Sequence, residues 1–464
     1  MILKQYYLSC LSHASYLIGD ESSRIAVIVD PQRDVDQYVV EAEQQNLQIR
    51  HVFLTHFHAD FVSGHLELRK RTGAEIHLGV KARADYPFTP MSEGGTLDLG
   101  RVRLGILETP GHTPEGISIL VYDLEKSTEK PHAVLTGDTL FIGDVGRPDL
   151  MASVGVTAEE LAGEMYDTLH GKLLRLPDEV LVYPAHGAGS MCGKNLSTDT
   201  VSTIGDQRRL NYALQPMSRD EFVTMVTSDQ PDAPAYFAHD STMNRQERST
   251  LDEAMERSLG RLPLDQVLRR VNAGAQLLDV RGPAEFASGH MVDAVNIPLS
   301  GRFASWAGTL LDGKKPIIVI APEGREEEVA LRLGRVGYDH IAGFLEGGIA
   351  AVEAEPDLMR SLDRITPDGL ARELASNEPP LILDVRGPGE WETKRIEGSL
   401  NLPLNRLSDR LDEVPRDRKF VVHCESGYRS SIAASLLQKA GVAGFLDLAG
   451  GLEAWEAAKL ETTS

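Results

Sequence analysis

The chain has 464 residues, 25% of them charged, and its 47 basic against 69 acidic side chains give a net charge of −22. That length exceeds what one hydrophobic core organises, so two to four domains are expected. The acidic balance, without any basic run, excludes nucleic acid and anionic membrane surfaces as partners.

No apolar stretch approaches the roughly 20 residues that cross a bilayer, and Met1 to Tyr7 enter a strand-like pattern at once, without a leader's charged and apolar regions. Cys10, Cys192 and Cys424 are too few and too scattered for a disulfide framework. A cytoplasmic location is the expectation. Cys10, in an apolar strand-like context, is assigned no role.

The first chemistry follows the apolar run Val52-Phe53-Leu54, in Thr55-His56-Phe57-His58-Ala59-Asp60-Phe61. A two-metal motif of the form His-x-His-x-Asp-His would end in a histidine, where this chain has Phe61, which cannot ligate. The second metal position should be crippled. The first survives if His112, behind the run Leu104 to Leu107, and Asp138, behind Ala133-Val134-Leu135, complete it with His56. Two histidines and one carboxylate are the facial set of non-haem Fe(II) oxygenases, which leaves positions open for O2 and substrate. His186, behind Leu181-Val182-Tyr183, stands in the same strand-to-loop context. With Phe61 opposite, it orients substrate or a bound water.

These segments, with Thr136 to Asp149 and Pro184 to Lys194, resemble the persulfide dioxygenase branch of the metallo-β-lactamase fold over residues 1–245. The resemblance implies one Fe(II) per chain, held by His56, His112 and Asp138, with His58, Asp60 and His186 in support. Arg147 could hold an anionic substrate group or form a loop salt bridge. Cys192 could be a buried inert thiol, or a sulfur relay whose pKa Lys194 lowers. Glutathione-using relatives carry Asp-Tyr behind the histidine matched by His186, whereas this chain has Gly187-Ala188. Glutathione persulfide is therefore not expected to be strongly preferred. The stretch from Gln207 to Val226 reads as helix, with an N-cap and acidic first turn at Met217 to Glu221. Gln230 to Pro234 breaks it, and the segment closes over the metal domain.

Behind this the chain repeats itself. Leu278-Asp279-Val280-Arg281-Gly282-Pro283 recurs as Leu383-Asp384-Val385-Arg386-Gly387-Pro388, and Asn296-Ile297-Pro298-Leu299 as Asn401-Leu402-Pro403-Leu404. Strand–helix alternation within each copy implies parallel α/β sheets. Both copies resemble rhodanese domains, over 262–356 and 362–460. In the second, Lys419 to His423 reads as a buried strand leading into Cys424-Glu425-Ser426-Gly427-Tyr428-Arg429 and then a helix. A cysteine facing loop N–H groups at a helix start, with Arg429 alongside, should be held as thiolate or persulfide. Cys424 and Arg429 are the expected catalytic pair, and Glu425, Ser426, Gly427 and Tyr428 the substrate-binding loop. The first copy carries Ala321 and Glu326 in their places, so it is an inactive copy that serves spacing, subunit contact or channel shaping.

The expected architecture is an α/β chain: a metallo-β-lactamase αββα sandwich followed by two rhodanese-like α/β domains with parallel sheets. The expected activity oxidises low-molecular-weight thiol persulfides with O2 to sulfite and thiol, and interconverts sulfite, persulfide and thiosulfate at Cys424. A homo-oligomer, dimer or tetramer, is expected. Two alternatives stand beside it. One is a metal-dependent thioester hydrolase of the hydroxyacylglutathione hydrolase type, and the other a non-catalytic sulfur-carrier scaffold.

Overall fold

Successive side chains of the first sheet face opposite sides, and both faces of its central strands are buried. Its strands lie in chain order: β1 (Ile2–Leu8), β2 (His13–Asp20), β3 (Ile25–Val29), β4 (Gln48–Phe53), β5 (Glu75–Gly79) and β6 (Thr89–Met91). Pairing is antiparallel from β1 to β3 and parallel from β3 to β6. A second sheet has the order β12-β11-β10-β9-β8-β7, from β7 (Thr96–Asp98), β8 (Val102–Glu108), β9 (Ile117–Asp123), β10 (Ala133–Gly137), β11 (Leu181–Pro184) and β12 (Ser202–Thr203).

Tyr16, Ile18, Val27 and Phe53 from the first sheet meet Leu104, Ile106, Ile119 and Leu135 from the second in one buried layer. The alternate residues face outward: Leu17, Ile28 and Val52 pack on Tyr38 and Ala42 of the helix Asp36–Gln44 and on Leu66 and Leu68 of the helix His65–Thr72. On the far side, Val134 and Val182 pack on Ala162, Met165 and Leu169 of the helix Ala158–Gly171, and on Phe222 and Val226 of the helix Arg219–Thr227. The layers are helix, sheet, sheet, helix, the expected αββα sandwich.

The computed structural model describes residues 1–150, 155–228, 230 and 232–464. It divides into one unit of Met1–Glu253 with Gly334–Gly337, and another of Ala254–Leu333 with Tyr338–Ser464. The single helix expected from Gln207 to Val226 is two. The helix Ile204–Leu210 stops at Asn211, whose side chain accepts from Ala213 N and donates to Asp144 O, so that a 3-10 turn at Tyr212–Leu214 replaces the next helical turn. The helix Arg219–Thr227 restarts at Ser218, with a capping box to Glu221 as the sequence pattern implies. Of the breaker Gln230 to Pro234, Pro231 lies outside the described residues.

The second unit contains two parallel sheets of identical strand order. The first runs β13-β18-β17-β14-β16, from β13 (Arg261–Leu262), β14 (Gln276–Asp279), β15 (His290–Met291, which pairs apart), β16 (Val295–Asn296), β17 (Ile317–Ile320) and β18 (Ile341–Leu345). The second runs β20-β24-β23-β21-β22. It is formed by β20 (Arg364–Ile365), β21 (Leu381–Asp384), β22 (Leu400–Asn401), β23 (Phe420–His423) and β24 (Phe445–Leu448), and β19 (Met359–Arg360) is the partner of β15. In each copy the Asp of the repeated Asp-Val-Arg pairs in register with the repeated Asn: Asp279 with Asn296, and Asp384 with Asn401. Among the described residues, no helix is long and apolar enough to cross a membrane.

Candidate metal centre and cysteine loop

Three loops leaving strand ends converge on one point of the first unit. His56 follows β4, His112 lies between β8 and β9, and Asp138 follows β10. His56 Nε2 and His112 Nε2 stand 3.7 and 3.6 Å from Asp138 Oδ2, and all three residues are buried. An ion bonded at about 2.0–2.2 Å to N and O donors spans such separations.

The outer hydrogen bonds fix which atoms face the ion. His112 Nδ1 lies 2.8 Å from the Arg147 carbonyl oxygen, which can only accept, so Nδ1 carries the proton and Nε2 offers a lone pair. Thr55 Oγ1 donates to Asp30 Oδ2 at 2.9 Å and stands 2.9 Å from His56 Nδ1, which therefore donates to it and leaves Nε2 free. His186 Nδ1 stands 2.7 Å from Asp138 Oδ1 and 3.0 Å from Oδ2, and Oδ2 is also the oxygen that faces the two Nε2 atoms. Burial above all drives His56 far below the usual histidine range and keeps it neutral. For Asp138 burial pushes upward, but the neighbouring His186, His56 and His112 outweigh it and hold the carboxyl well below its usual range. The donor set fits a divalent first-row cation.

His186 is clamped between two carboxylates, with Nδ1 at Asp138 and Nε2 at 2.9 Å from Asp60 Oδ2. Burial would lower its pKa, yet the two carboxylates raise it well above the ordinary value. His58 Nε2 lies 3.1 Å from Asp30 Oδ1. Beside them Phe61 is buried, its ring 4.0 Å from that of His13 and 4.5 Å from that of His58. His58, Asp60 and His186 thus share a pocket into which Phe61 brings carbon and no ligand atom. Gly146 is required beside the centre, since a Cβ there would collide with the Asp138 carbonyl oxygen.

Arg147 is buried, and its guanidinium binds Asp149 through Nε and Nη2, both at 2.7 Å, with Nη1 3.1 Å from Met191 O. Cys192 groups with Asp138 and His186. The expectation that Lys194 lowers its pKa is corrected: burial, with Asp60 and Asp138 nearby, pushes the thiol well above its ordinary value. Lys194 is turned elsewhere, its ammonium on the Met225 and Ser228 carbonyls.

Three supports escaped the sequence reading. Asp30, at the end of β3, anchors both Thr55 and the His58 side; an acid closing an apolar strand was a usable signal. Glu115 accepts from Phe57 N at 3.2 Å. Asn244 accepts from Ser63 N and donates to the His58 and Phe61 carbonyls, each at 2.8 Å, and nothing local marks a residue so distant in sequence.

In the second unit Cys424 sits directly behind β23, buried, with Gly427 N 3.2 Å from its Sγ. Gly427 takes φ of +92°, which turns the loop into the helix Tyr428–Lys439. Gly451 approaches the Cys424 and Glu425 carbonyls so closely, at φ of +60°, that no side chain fits. Arg429 is held by Glu390 through its two terminal nitrogens, Nη1 and Nη2, at 2.6 and 2.7 Å, and burial notwithstanding, that carboxylate raises its pKa. Glu425 binds Arg386 at 2.9 Å, Ser426 and Gly427 form the turn, and Tyr428 points its hydroxyl at Pro298 O, 2.9 Å away. In the first copy Ala321 occupies the position behind β17, and Glu326 opens the following helix.

The metallo-beta-lactamase superfamily model matches residues 8–186, and the rhodanese-like domain model matches twice, over 263–355 and 366–458. The mitochondrial persulfide dioxygenase ETHE1 of Bos taurus is 29% identical over 230 residues, which cover 49% of this chain and 80% of the relative. A sulfurtransferase of Allochromatium vinosum is 36% identical over 94 residues, 20% of this chain and 88% of the relative. The crystal structure of a metallo-beta-lactamase from Staphylococcus aureus is 31% identical, covers 74% of this chain and 98% of its own, and superposes with a TM-score of 0.66. The chain therefore belongs to the metallo-β-lactamase superfamily through a first unit homologous to persulfide dioxygenases, and carries two rhodanese-like domains behind it.

Proposed function

We propose that this protein is a persulfide dioxygenase joined to a sulfurtransferase, with one Fe(II) per chain held by His56, His112 and Asp138. One observation carries the reading. Three neutral or acceptor atoms are aimed at one point by fixed outer bonds, while Phe61 fills the neighbouring pocket that a two-metal hydrolase would need. Iron, when bound, would supply the activation of O2, while the electrons that O2 takes up come from the outer sulfur of the persulfide as it becomes sulfite. The net reaction balances as RSS⁻ + O2 + H2O → RSH + SO3²⁻ + H⁺.

The protein's own part is orientation and exclusion of water. His112 and His56 are locked in one tautomer by the Arg147 carbonyl and Thr55, and Asp138 is locked by His186, so the donor atoms do not reorganise. The homology with a sulfurtransferase supports the second half. Cys424 takes a sulfane sulfur, its thiolate attacking the outer sulfur of a persulfide and releasing RS⁻. Sulfite then attacks the outer sulfur of the Cys424 persulfide, and thiosulfate leaves as the thiolate is restored. Both steps are reversible. Low-molecular-weight persulfides of coenzyme A, cysteine or other thiols serve as substrates alongside glutathione persulfide, because Gly187-Ala188 offers no phenolic donor behind His186. The action is cytoplasmic, in a dimer or tetramer.

Persulfide-dependent O2 uptake with sulfite release tests the first half. Asp138→Ala should abolish both, and an Asp138→Ala protein that consumes O2 at the wild-type rate overturns the assignment.

A further inference from the structure

Asn296 and Asn401 are equivalent positions of the repeat, and each does the same local work. Asn296 Nδ2 donates to the Asp279 and Arg281 carbonyls, both at 3.0 Å, and Asn401 Nδ2 donates to those of Asp384 and Arg386 at 3.1 and 2.9 Å. In the first copy the residue has gained a second task. Its Oδ1 accepts from Ser431 Oγ at 2.6 Å, and its main-chain N donates to Ser435 Oγ at 3.0 Å. All three residues are at most 1% exposed.

Ser431 and Ser435 lie one turn apart on the helix Tyr428–Lys439, the helix that begins immediately behind the Cys424 loop. The neighbouring Ser430 turns to that helix's own sheet, where it donates to Asp447 Oδ1 at 2.6 Å. The helix is thus gripped from two sides. A third bond joins the loop itself, the Tyr428 hydroxyl donating to Pro298 O at 2.9 Å. These contacts are mostly hydrogen bonds between buried groups, which fix position more narrowly than apolar packing because each has one good geometry.

We propose that the inactive copy is the positioning element of the active one: Asn296 and Pro298 set the height of the helix Tyr428–Lys439, and with it the approach of the Gly427 N–H to the Cys424 sulfur. The proposal rests on the sulfur-transfer reading above and explains what a copy lacking the cysteine does. Asn296 is a positioning residue and touches neither substrate nor thiol. Removing its side chain strands the Ser431 hydroxyl without its buried acceptor and frees the helix to shift.

The test uses the full-length protein with Asn296→Ala and, as a change too small to threaten folding, Tyr428→Phe. Two rates are measured: sulfur loading of Cys424 from thiosulfate, followed by intact mass, and alkylation of Cys424 by iodoacetamide at neutral pH. Melting curves are recorded alongside. Asn296→Ala should slow both rates roughly tenfold, the scale of one misplaced buried hydrogen bond, and Tyr428→Phe should slow them severalfold. The loss should come with an intact melting transition, and Asn296→Ala should leave persulfide-dependent O2 uptake unchanged. Wild-type loading and alkylation rates in both variants overturn the proposal. If Asn296→Ala fails to fold, Tyr428→Phe decides alone. If wild-type Cys424 takes no sulfur from thiosulfate, the sulfur-transfer reading falls, while the alkylation rates still decide the positioning role.

Discussion

The His186 ring grips the Asp138 carboxylate asymmetrically: Nδ1 stands 2.7 Å from Oδ1 and 3.0 Å from Oδ2, the same oxygen that lies 3.6–3.7 Å from the Nε2 atoms of His112 and His56. Without His186 the carboxylate is free to rotate and its donor atom is no longer fixed. His186→Ala is expected to cost about 10–100-fold in metal affinity or turnover, read as metal retained after dialysis against a chelator. Full retention with full activity would remove His186 from the support of the site.

Cys424→Ser should leave O2 consumption in place and shift the product from thiosulfate towards sulfite, since nothing remains to deliver the second sulfane sulfur. Ion chromatography of the products reads the ratio. Loss of O2 uptake in this variant would mean that the Cys424 persulfide is itself the substrate of the metal centre.

Much of this was legible because the chemistry sits at strand ends. His56, His112, Asp138 and Cys424 each follow a short apolar run, and local pattern both predicts the strand and places the residue at its exit. What was not legible lies across long sequence separations or depends on a competing local bond. Asn244 supports the His58 loop from the far end of the unit, and Asn211 ends a helix that periodicity alone would continue. Tyr428 reads as a substrate-loop residue, but its hydroxyl is spent on Pro298 O, a use only the folded pair of copies reveals. For Cys192 the sequence leaves a buried thiol and a Lys194-activated one open, and space favours the first, because Lys194 is adjacent in sequence while Asp60 and Asp138 are adjacent in space.

Cys192→Ser is expected to keep the metal and to leave the ratio of sulfite to thiosulfate unchanged, because burial, with Asp60 and Asp138 nearby, holds the thiol protonated and a poor nucleophile. Metal analysis paired with product analysis decides it. A changed product ratio with the metal retained would make the thiol a sulfur relay in spite of its burial.

Acid stability of the first unit should depend on Glu67. Its buried carboxylate accepts from Arg33 Nε at 3.2 Å, from Arg248 at 2.6 and 3.1 Å and from Leu251 N at 3.1 Å. Burial raises its pKa, but Arg248 and Arg33 outweigh that and bring it from 4.5 down to about 2. A carboxyl whose pKa is lower folded than unfolded stabilises fully above 4.5, and the contribution is lost as pH falls from 4.5 towards 2. Glu67→Ala should destabilise the unit by about 3–5 kcal/mol at neutral pH, the cost of stranding buried arginines, and flatten the pH dependence of denaturant unfolding in that window. An unchanged profile would exclude the pair from acid unfolding.

Protein purified without oxygen separates the possible activities through its bound metal and its O2 uptake on addition of a thiol persulfide. One iron per chain is expected, with uptake that stops when the persulfide is consumed and with sulfite formed. Zinc in the site with cleavage of a glutathione thioester and no O2 uptake would contradict the dioxygenase reading in favour of a hydrolase, and absence of both metal and uptake would contradict it in favour of a sulfur-carrying scaffold.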